Sequence, residues 1–292
     1  MNRSRTWLVM PAAALAVAVV VAGIALLTHV SPPQAPPTDL NPTAIPTNSR
    51  TGGPVQARDV NVPVYFLGDS TAGARLFREF RTYQGVTGWS TLRVAVTGAV
   101  LGDSTDPDYR SAFPKGTTAR ASQDGDTVIV DLRSDNDLTT VNTHEGEVGV
   151  QAVVYTVDAV LQRKAPVRFL VNGSAADRVL GVDTSQLVRR APADAVQAPV
   201  WIIDPGNQAG VSSPFRVTGM AATFEANVVW ELKDGRHVVR HGFATAKQCC
   251  THSPYSFTVT APPGNYTLVV HDTDPSGAGG QLNSDTREIT VR

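Results

Sequence analysis

The sequence predicts an α+β domain followed by an all-β, immunoglobulin-like sandwich, both carried behind a single N-terminal transmembrane helix. Three observations carry that prediction: an uncharged apolar run near the start, a following region of mixed strand and helix periodicity, and a last third that alternates apolar and polar residues. With 292 residues there is room for two modest domains. A net charge of -1, with no long stretch of one sign, excludes a nucleic-acid binder and a polybasic membrane-surface protein.

Arg3 and Arg5 precede WLVMPAAALAVAVVVAGIALL, residues 7–27, which holds no charged side chain. Spanning a hydrocarbon core takes about 20 apolar residues, whereas the apolar region of a secretory signal runs about 7–15. The stretch is of the longer kind, so residues 1–30 read as a cytoplasmic tip and an uncleaved signal-anchor, with a cleaved signal as the alternative. Arginines before the span, and no Lys or Arg after it until Arg50, place the N-terminus in the cytoplasm and the folded part outside the cell membrane. No cysteine follows the span to take a lipid. Residues 31–59 carry Pro32, Pro33, Pro36, Pro37, Pro42, Pro46 and Pro54 among Thr, Gln and Asn, without an apolar face. Proline removes backbone donors and favours extended conformations, so this is a linker. At ~3 Å per residue it reaches at most about 80 Å.

Residues 60–180 form the α+β domain. VNVPVYFL is a strand ending at Gly68-Asp69, and Leu92, Ala95, Val96, Ala99 and Val100 form a helical stripe within 88–101. TTARASQDGDTVIVDL reads as a hairpin turning at Asp124-Gly125, with Val128, Val130 and Leu132 alternating after it. A second helix is expected over 145–163, with Val150, Val153, Val157, Val160 and Leu161 on one side. Glu145 and Glu147 near its start, and Arg163 and Lys164 near its end, suit the helix dipole. VRFLVNG is a further strand. In ARLFREFRTY, Leu76, Phe77, Phe80 and Tyr83 fit a helical stripe, and periodicity leans toward a helix there.

After a polar connector, 181–198, the pattern changes. PVWIID, FRVTGMA, TFEANVVWEL, HVVRHGFATA, YSFTVTA, NYTLVVHD and TREITVR are seven strand candidates separated by turn residues. Short half-buried strands in that number match an immunoglobulin-type sandwich over 199–292. No Cys–Trp–Cys spacing exists, so packing alone would hold it.

Two motifs invite chemistry. Gly68-Asp69-Ser70 at a strand end resembles the first block of GDSL-type serine hydrolases, whose base comes from a late Asp-x-x-His, and Asp234-Gly235-Arg236-His237 has that spacing. A nucleophile needs its base within hydrogen-bond reach and an oxyanion hole besides. Asp234-Gly235 is better explained as a hairpin turn in another domain, and the Gly-x-Asn-Asp block of that family is missing. Gly-Asp-Ser-Thr recurs at 102–105, where it follows a helix; both copies read as turn chemistry. Cys249-Cys250, with His252 and with His237, His241 or His271 in nearby strands, lacks the Cys-x-x-Cys spacing of a metal site. Outside the cytoplasm a vicinal disulfide or intermolecular pairing suits them better. Asp272-Thr273-Asp274-Pro275-Ser276-Gly277 lacks the distal acid of a calcium loop, and Arg189-Arg190 reads as solvated surface.

VPVYFL, GWSTLRVAVTGAVLG, FPKGTTARASQDGDTVIVDL, VDAVLQ and VRFLVNG, in that order, resemble the GerMN (sporulation and spore germination) domain. IIDPGNQAGVSSPFRVTGMAATFEANVVWEL, HGFATA, YSFTV and GNYTLVVHDTD resemble Gmad2, the immunoglobulin-like domain of bacterial spore germination proteins. The resemblance implies a strand over 74–83, an envelope protein of assembly or germination, and no established catalytic residues. The expectation is therefore a non-catalytic, membrane-anchored extracytoplasmic protein that binds envelope proteins or wall polymer, with no catalytic, cofactor or metal residues assigned. An extracytoplasmic hydrolase using Ser70 is the rival. A carbohydrate-binding module would rest on exposed Trp89 or Trp201.

Overall fold

The fold begins with a hairpin buried on both faces. Strands β1 (Arg58–Ser70) and β2 (Gly73–Val86) pair antiparallel along their whole length, and Thr71-Ala72 closes the turn. The structure is a computed structural model that describes residues 57–87, 90–139, 143–274 and 282–292. The expected anchor and nearly all of the linker, together with Trp89, lie outside the described residues. No helix among the described residues is long and apolar enough to cross a membrane.

The strand in β2 corrects the helical reading of ARLFREFRTY. Its apparent stripe does not share a face: Leu76 packs with Tyr65 and Leu67, Phe77 packs with Val64 and Phe66, and Phe80 is 51% exposed. Pairing of each residue with β1 outweighs the local periodicity.

Helix α1 (Thr91–Leu101) starts where the Ser90 hydroxyl accepts the Arg93 amide, 3.1 Å, and stops at Gly102 in the left-handed region, φ 69°. Strands β3 (Thr118–Asp124) and β4 (Thr127–Arg133) form the expected hairpin. Helix α2 (Thr143–Leu161) then carries the chain across to β5 (Val167–Val171), parallel to β4, and β6 (Ser174–Ala175) completes a sheet ordered β3-β4-β5-β6. Leu92, Val96 and Val100 of α1, with Val150, Val153 and Val157 of α2, cover that sheet. The other sides of the helices meet the hairpin: Ala95 and Ala99 pack with Val62 and Phe66, and Val148, Ala152 and Tyr155 with Tyr65 and Leu67. Sandwiching between two β-layers explains why α2 is apolar nearly all round. Its end differs from expectation. The helix stops at Leu161, so Arg163 and Lys164 lie beyond the last turn.

The connector contains the small hairpin β7 (Arg178–Val179) and β8 (Val182–Asp183) and the single turn α3 (Ala193–Val196). Then come β9 (Val200–Asp204), β10 (Ala209–Val211), β11 (Phe215–Ala221), β12 (Asn227–Asp234), β13 (His237–Thr245), β14 (Ser253–Val259), β15 (Gly264–His271) and β16 (Ser284–Val291). They form two sheets, β14-β11-β9 and β10-β16-β15-β12-β13, closed over Ile202, Val217, Leu232, Leu268, Val270 and Ile289. All seven expected strands are present. Strand β10, three residues paired parallel to β16, has no alternation to announce it.

Strand β9 decides how the modules meet. Val200 and Ile202 point into the sandwich, while Trp201 and Ile203 join the cluster of Val62, Val64 and Phe77 on the hairpin. All the described residues fall within one compact unit.

Candidate functional site at the module seam

Ser70 ends β1, and its hydroxyl serves the turn. Its Oγ donates to the Gly73 carbonyl at 2.8 Å and accepts the Ala72 amide at 3.2 Å. The neighbouring Asp69 pairs with Arg110 at 2.9 Å, and the same guanidinium reaches Glu145 at 2.8 Å. The proposed partners Asp234 and His237 face each other across the β12–β13 turn. Thr71 contacts the sandwich at Asn283, beside the end of the sheet where His271 pairs with Ser284 and Val229. Asp234 lies at the other end of β12, roughly 17 Å further on at about 3.3 Å per residue. The structure does not bring Ser70 together with Asp234 and His237.

Cys249 and Cys250 form a vicinal disulfide, which removes both thiolates as metal ligands. The turn they belong to sets His252 against the connector and β9, with Nε2 2.9 Å from the Ala198 carbonyl and the ring 5.5 Å from that of Trp201. Burial lowers the His252 pKa. The Asp272–Gly277 segment lies partly outside the described residues. Trp201 is 1% exposed and is therefore no platform for a sugar.

The polar centre of the molecule is a buried network on the seam. Arg287 of β16 is 1% exposed. Its Nη1 donates to Asp285 Oδ1 at 2.9 Å and to Asp106 Oδ2, and its Nη2 donates to Tyr109 Oη and the Ile202 carbonyl, both at 2.9 Å. Tyr109 Oη donates to Asp285 Oδ1 at 2.9 Å, and the Ile202 amide donates to Asp285 Oδ2 at 2.7 Å. Asp106 and Tyr109 come from the loop after α1; the remainder comes from the sandwich. Glu79 of β2 holds that loop by accepting the Thr105 and Asp106 amides and the Thr105 hydroxyl, each at 3.0 Å.

Burial dominates the electrostatics. It lifts the Asp106 carboxyl to about 6 against the pull of Arg287, raises Asp285, and pushes the Tyr109 phenol well above its ordinary value. Burial opposes the Arg287 charge as well, but Asp285, Tyr109 and Asp106 outweigh it and raise that pKa. Buried charges of this kind are tolerated only when their partners stand in place.

Both Gly-Asp-Ser-Thr segments border this seam. Thr71 of the first donates to Asn283 Oδ1 from its amide, 3.1 Å, and its hydroxyl, 2.9 Å. Thr105 of the second offers its carbonyl to Asn207 Nδ2 at 3.1 Å and leads into Asp106. Reading them as turns was correct but incomplete. Arg190 also departs from expectation: it is half-buried, with its guanidinium 4.0 Å over the Tyr155 ring. The seam residues themselves were missed. One signal was present: in TREITVR and the Asp before it, Asp285 and Arg287 share the parity of Ile289 and Val291, so two charges occupy the inward face of the strand.

Fold and site together define a class: an α+β module locked through buried charges onto an immunoglobulin-like sandwich. The family comparisons agree. Residues 63–177 match the Germane model, described as sporulation and spore germination. Residues 199–279 match Gmad2, the immunoglobulin-like domain of bacterial spore germination. The chain carries these two germination-related domains in tandem.

Among solved structures, the tandem GerMN domains of the sporulation protein GerM from Bacillus subtilis are 14% identical, over 69% of this chain and 61% of that one, with a TM-score of 0.36. An engineered protein is 18% identical over 50% of this chain and 36% of its own, with a TM-score of 0.28. The fibronectin(III)-like modules of Clostridium thermocellum CbhA are 19% identical over 32% of this chain and 95% of theirs, with a TM-score of 0.21. At these scores the structures carry no argument about function. No curated protein matches.

Proposed function

We propose that this is a non-catalytic, membrane-tethered extracytoplasmic protein whose two modules act as one rigid head that binds envelope proteins or wall polymer in germination-type or envelope-assembly processes. The buried Arg287–Asp106–Asp285–Tyr109 network is the observation that supports it. Joining two modules through desolvated charges is costly and of use only where their relative orientation matters, as it does for a surface built from both. The apolar run at 7–27 and the proline-rich spacer suit a tether that holds this head away from the bilayer.

The test is cross-linking in intact cells combined with protease shaving. The expected outcome is a membrane-fraction protein whose head is cut from outside and which recovers envelope protein or wall fragments. A soluble, protease-shielded protein without such adducts would refute the proposal. A fluorophosphonate probe is expected to leave the chain unlabelled; labelling lost in Ser70→Ala would establish the hydrolase instead.

A further inference from the structure

A second feature of the seam lies on its other flank, where a cavity of about 610 Å³ opens between the modules. Four cations line it from three segments: Arg78 of β2, Arg163 and Lys164 beyond α2, and Arg190 of the connector. The sandwich contributes Trp201 and His252. Asp158 is the carboxylate in the lining, where burial raises its pKa against the pull of Arg190, Lys164 and Arg163; Asp194 on α3 stands near His252. Two carboxylates against four cations leave the groove positive.

Those cations are poorly compensated. Among the described residues none of the four is in an ion pair. Arg190 lies over Tyr155, Arg78 is 5.4 Å from the centre of the Phe80 ring, and Arg163 Nη1 donates to the Asp126 carbonyl at 3.2 Å. Arg163 Nη2, Arg78 Nε and Trp201 Nε1 are buried donors without a hydrogen-bond partner. Trp201, 1% exposed, forms part of the wall with its indole N–H behind it. Unmet buried donors are rare in folded proteins and call for an acceptor. The unmet groups here are all donors, save one Asp158 oxygen, in the lining of a positive groove.

We infer that this groove binds a phosphate group. A phosphate offers several acceptor oxygens in a tetrahedral array and carries up to two charges, which suits cations converging from three segments. A planar carboxylate would be satisfied by one guanidinium fork. The inference rests on the reading of the head as a binding protein, and it names the chemistry that one face of it would recognise. The vicinal disulfide closes the turn that sets His252 on the sandwich side, so the groove exists only with both modules in register.

Calorimetric titration of the full-length protein in detergent with inorganic phosphate tests this. The expected result is saturable binding that weakens roughly tenfold in Lys164→Gln and in Arg190→Gln, the loss of one charge-assisted contact, and is unchanged in Arg240→Gln on exposed β13. Lys164 is exposed, so its variant keeps the fold, as an unchanged unfolding midpoint would verify. Absence of saturable binding, or equal weakening in Arg240→Gln, overturns the inference. Displacement of bound phosphate by phosphatidylglycerol vesicles but not by phosphatidylcholine vesicles would assign the group to a lipid headgroup; no displacement assigns it to a soluble or wall-borne phosphate. Failure of phosphate binding with envelope cross-links intact would remove the groove and leave the wider reading of the head in place.

Discussion

At Arg287 a single guanidinium meets two buried carboxylates, a phenol and the backbone carbonyls of Ile202 and Thr286. Replacing it with Met would leave Asp106 and Asp285 buried without their counter-charge. Loss of one partner from a buried pair costs about 3–5 kcal/mol, and that is the expected destabilisation of Arg287→Met in denaturant unfolding. Asp106→Asn is milder, because Arg287 keeps Asp285. The same variant reports on pH. Asp106 titrates near 6 in the folded protein against 3.8 ordinarily, so the native state holds a proton that the unfolded chain has already released. Its contribution to stability is therefore fullest below about pH 4 and declines as pH rises to about 6. Asp285, raised by burial, acts in the same direction. Calorimetric midpoints between pH 4 and 7 should fall more steeply with rising pH in the wild type than in Asp106→Asn. Parallel curves would show that Asp106 does not carry the dependence.

At the scale of elements, α1 shows where local preference yields to packing. Gly98 sits in mid-helix, and alanine there would gain about 1 kcal/mol of helix propensity. A Cβ at Gly98, however, would stand 2.0 Å from Tyr83 Oη on β2. Gly98→Ala is thus expected to destabilise by about 1–3 kcal/mol through overpacking, and Tyr83→Phe, which removes the clashing atom, should recover part of that loss in a double-mutant cycle. Thermal stabilisation by Gly98→Ala alone would show that the hairpin can retreat. The helices were legible in the sequence because apolar spacing is a local signal, whereas the Ser90 and Gly102 caps that set the limits of α1 emerged only in the structure. The strand at 73–86 was legible only through the family resemblance, which implied it over 74–83, and not through periodicity: a doubly buried hairpin mixes its faces, so Leu76 and Phe77 are both inside and mimic a helical stripe.

Across the whole molecule, the hairpin and the sandwich share a core. Trp201 leaves the sandwich interior and packs among Val62, Val64 and Phe77. One cooperative unfolding transition is the expected consequence for the wild type. Trp201→Ala should open a cavity worth about 3–5 kcal/mol at the junction and separate the melt into two transitions. A single transition in that variant would mean that the buried charges alone couple the modules. Part of this was readable in advance: PVWIID is apolar without alternation, as a strand covered on both faces must be. The charged pair at Asp285 and Arg287 on an inward parity was a second clue to a partner surface.

Local patterning was sufficient for the two modules, for the seven main strands of the sandwich and for the existence of both long helices, because each depends on neighbours within a few residues; it did not set the helix limits or reveal β2 and β10. The resemblance to germination domains likewise came from short runs of residues in order. Tertiary structure alone decided that Ser70 and His237 stay apart, that both Gly-Asp-Ser-Thr loops border one seam, and that Arg78, Lys164 and Arg190 face a common groove. Those juxtapositions join residues from separate elements, tens of positions or more apart in sequence, and no periodicity records a contact that forms only when one element closes on another.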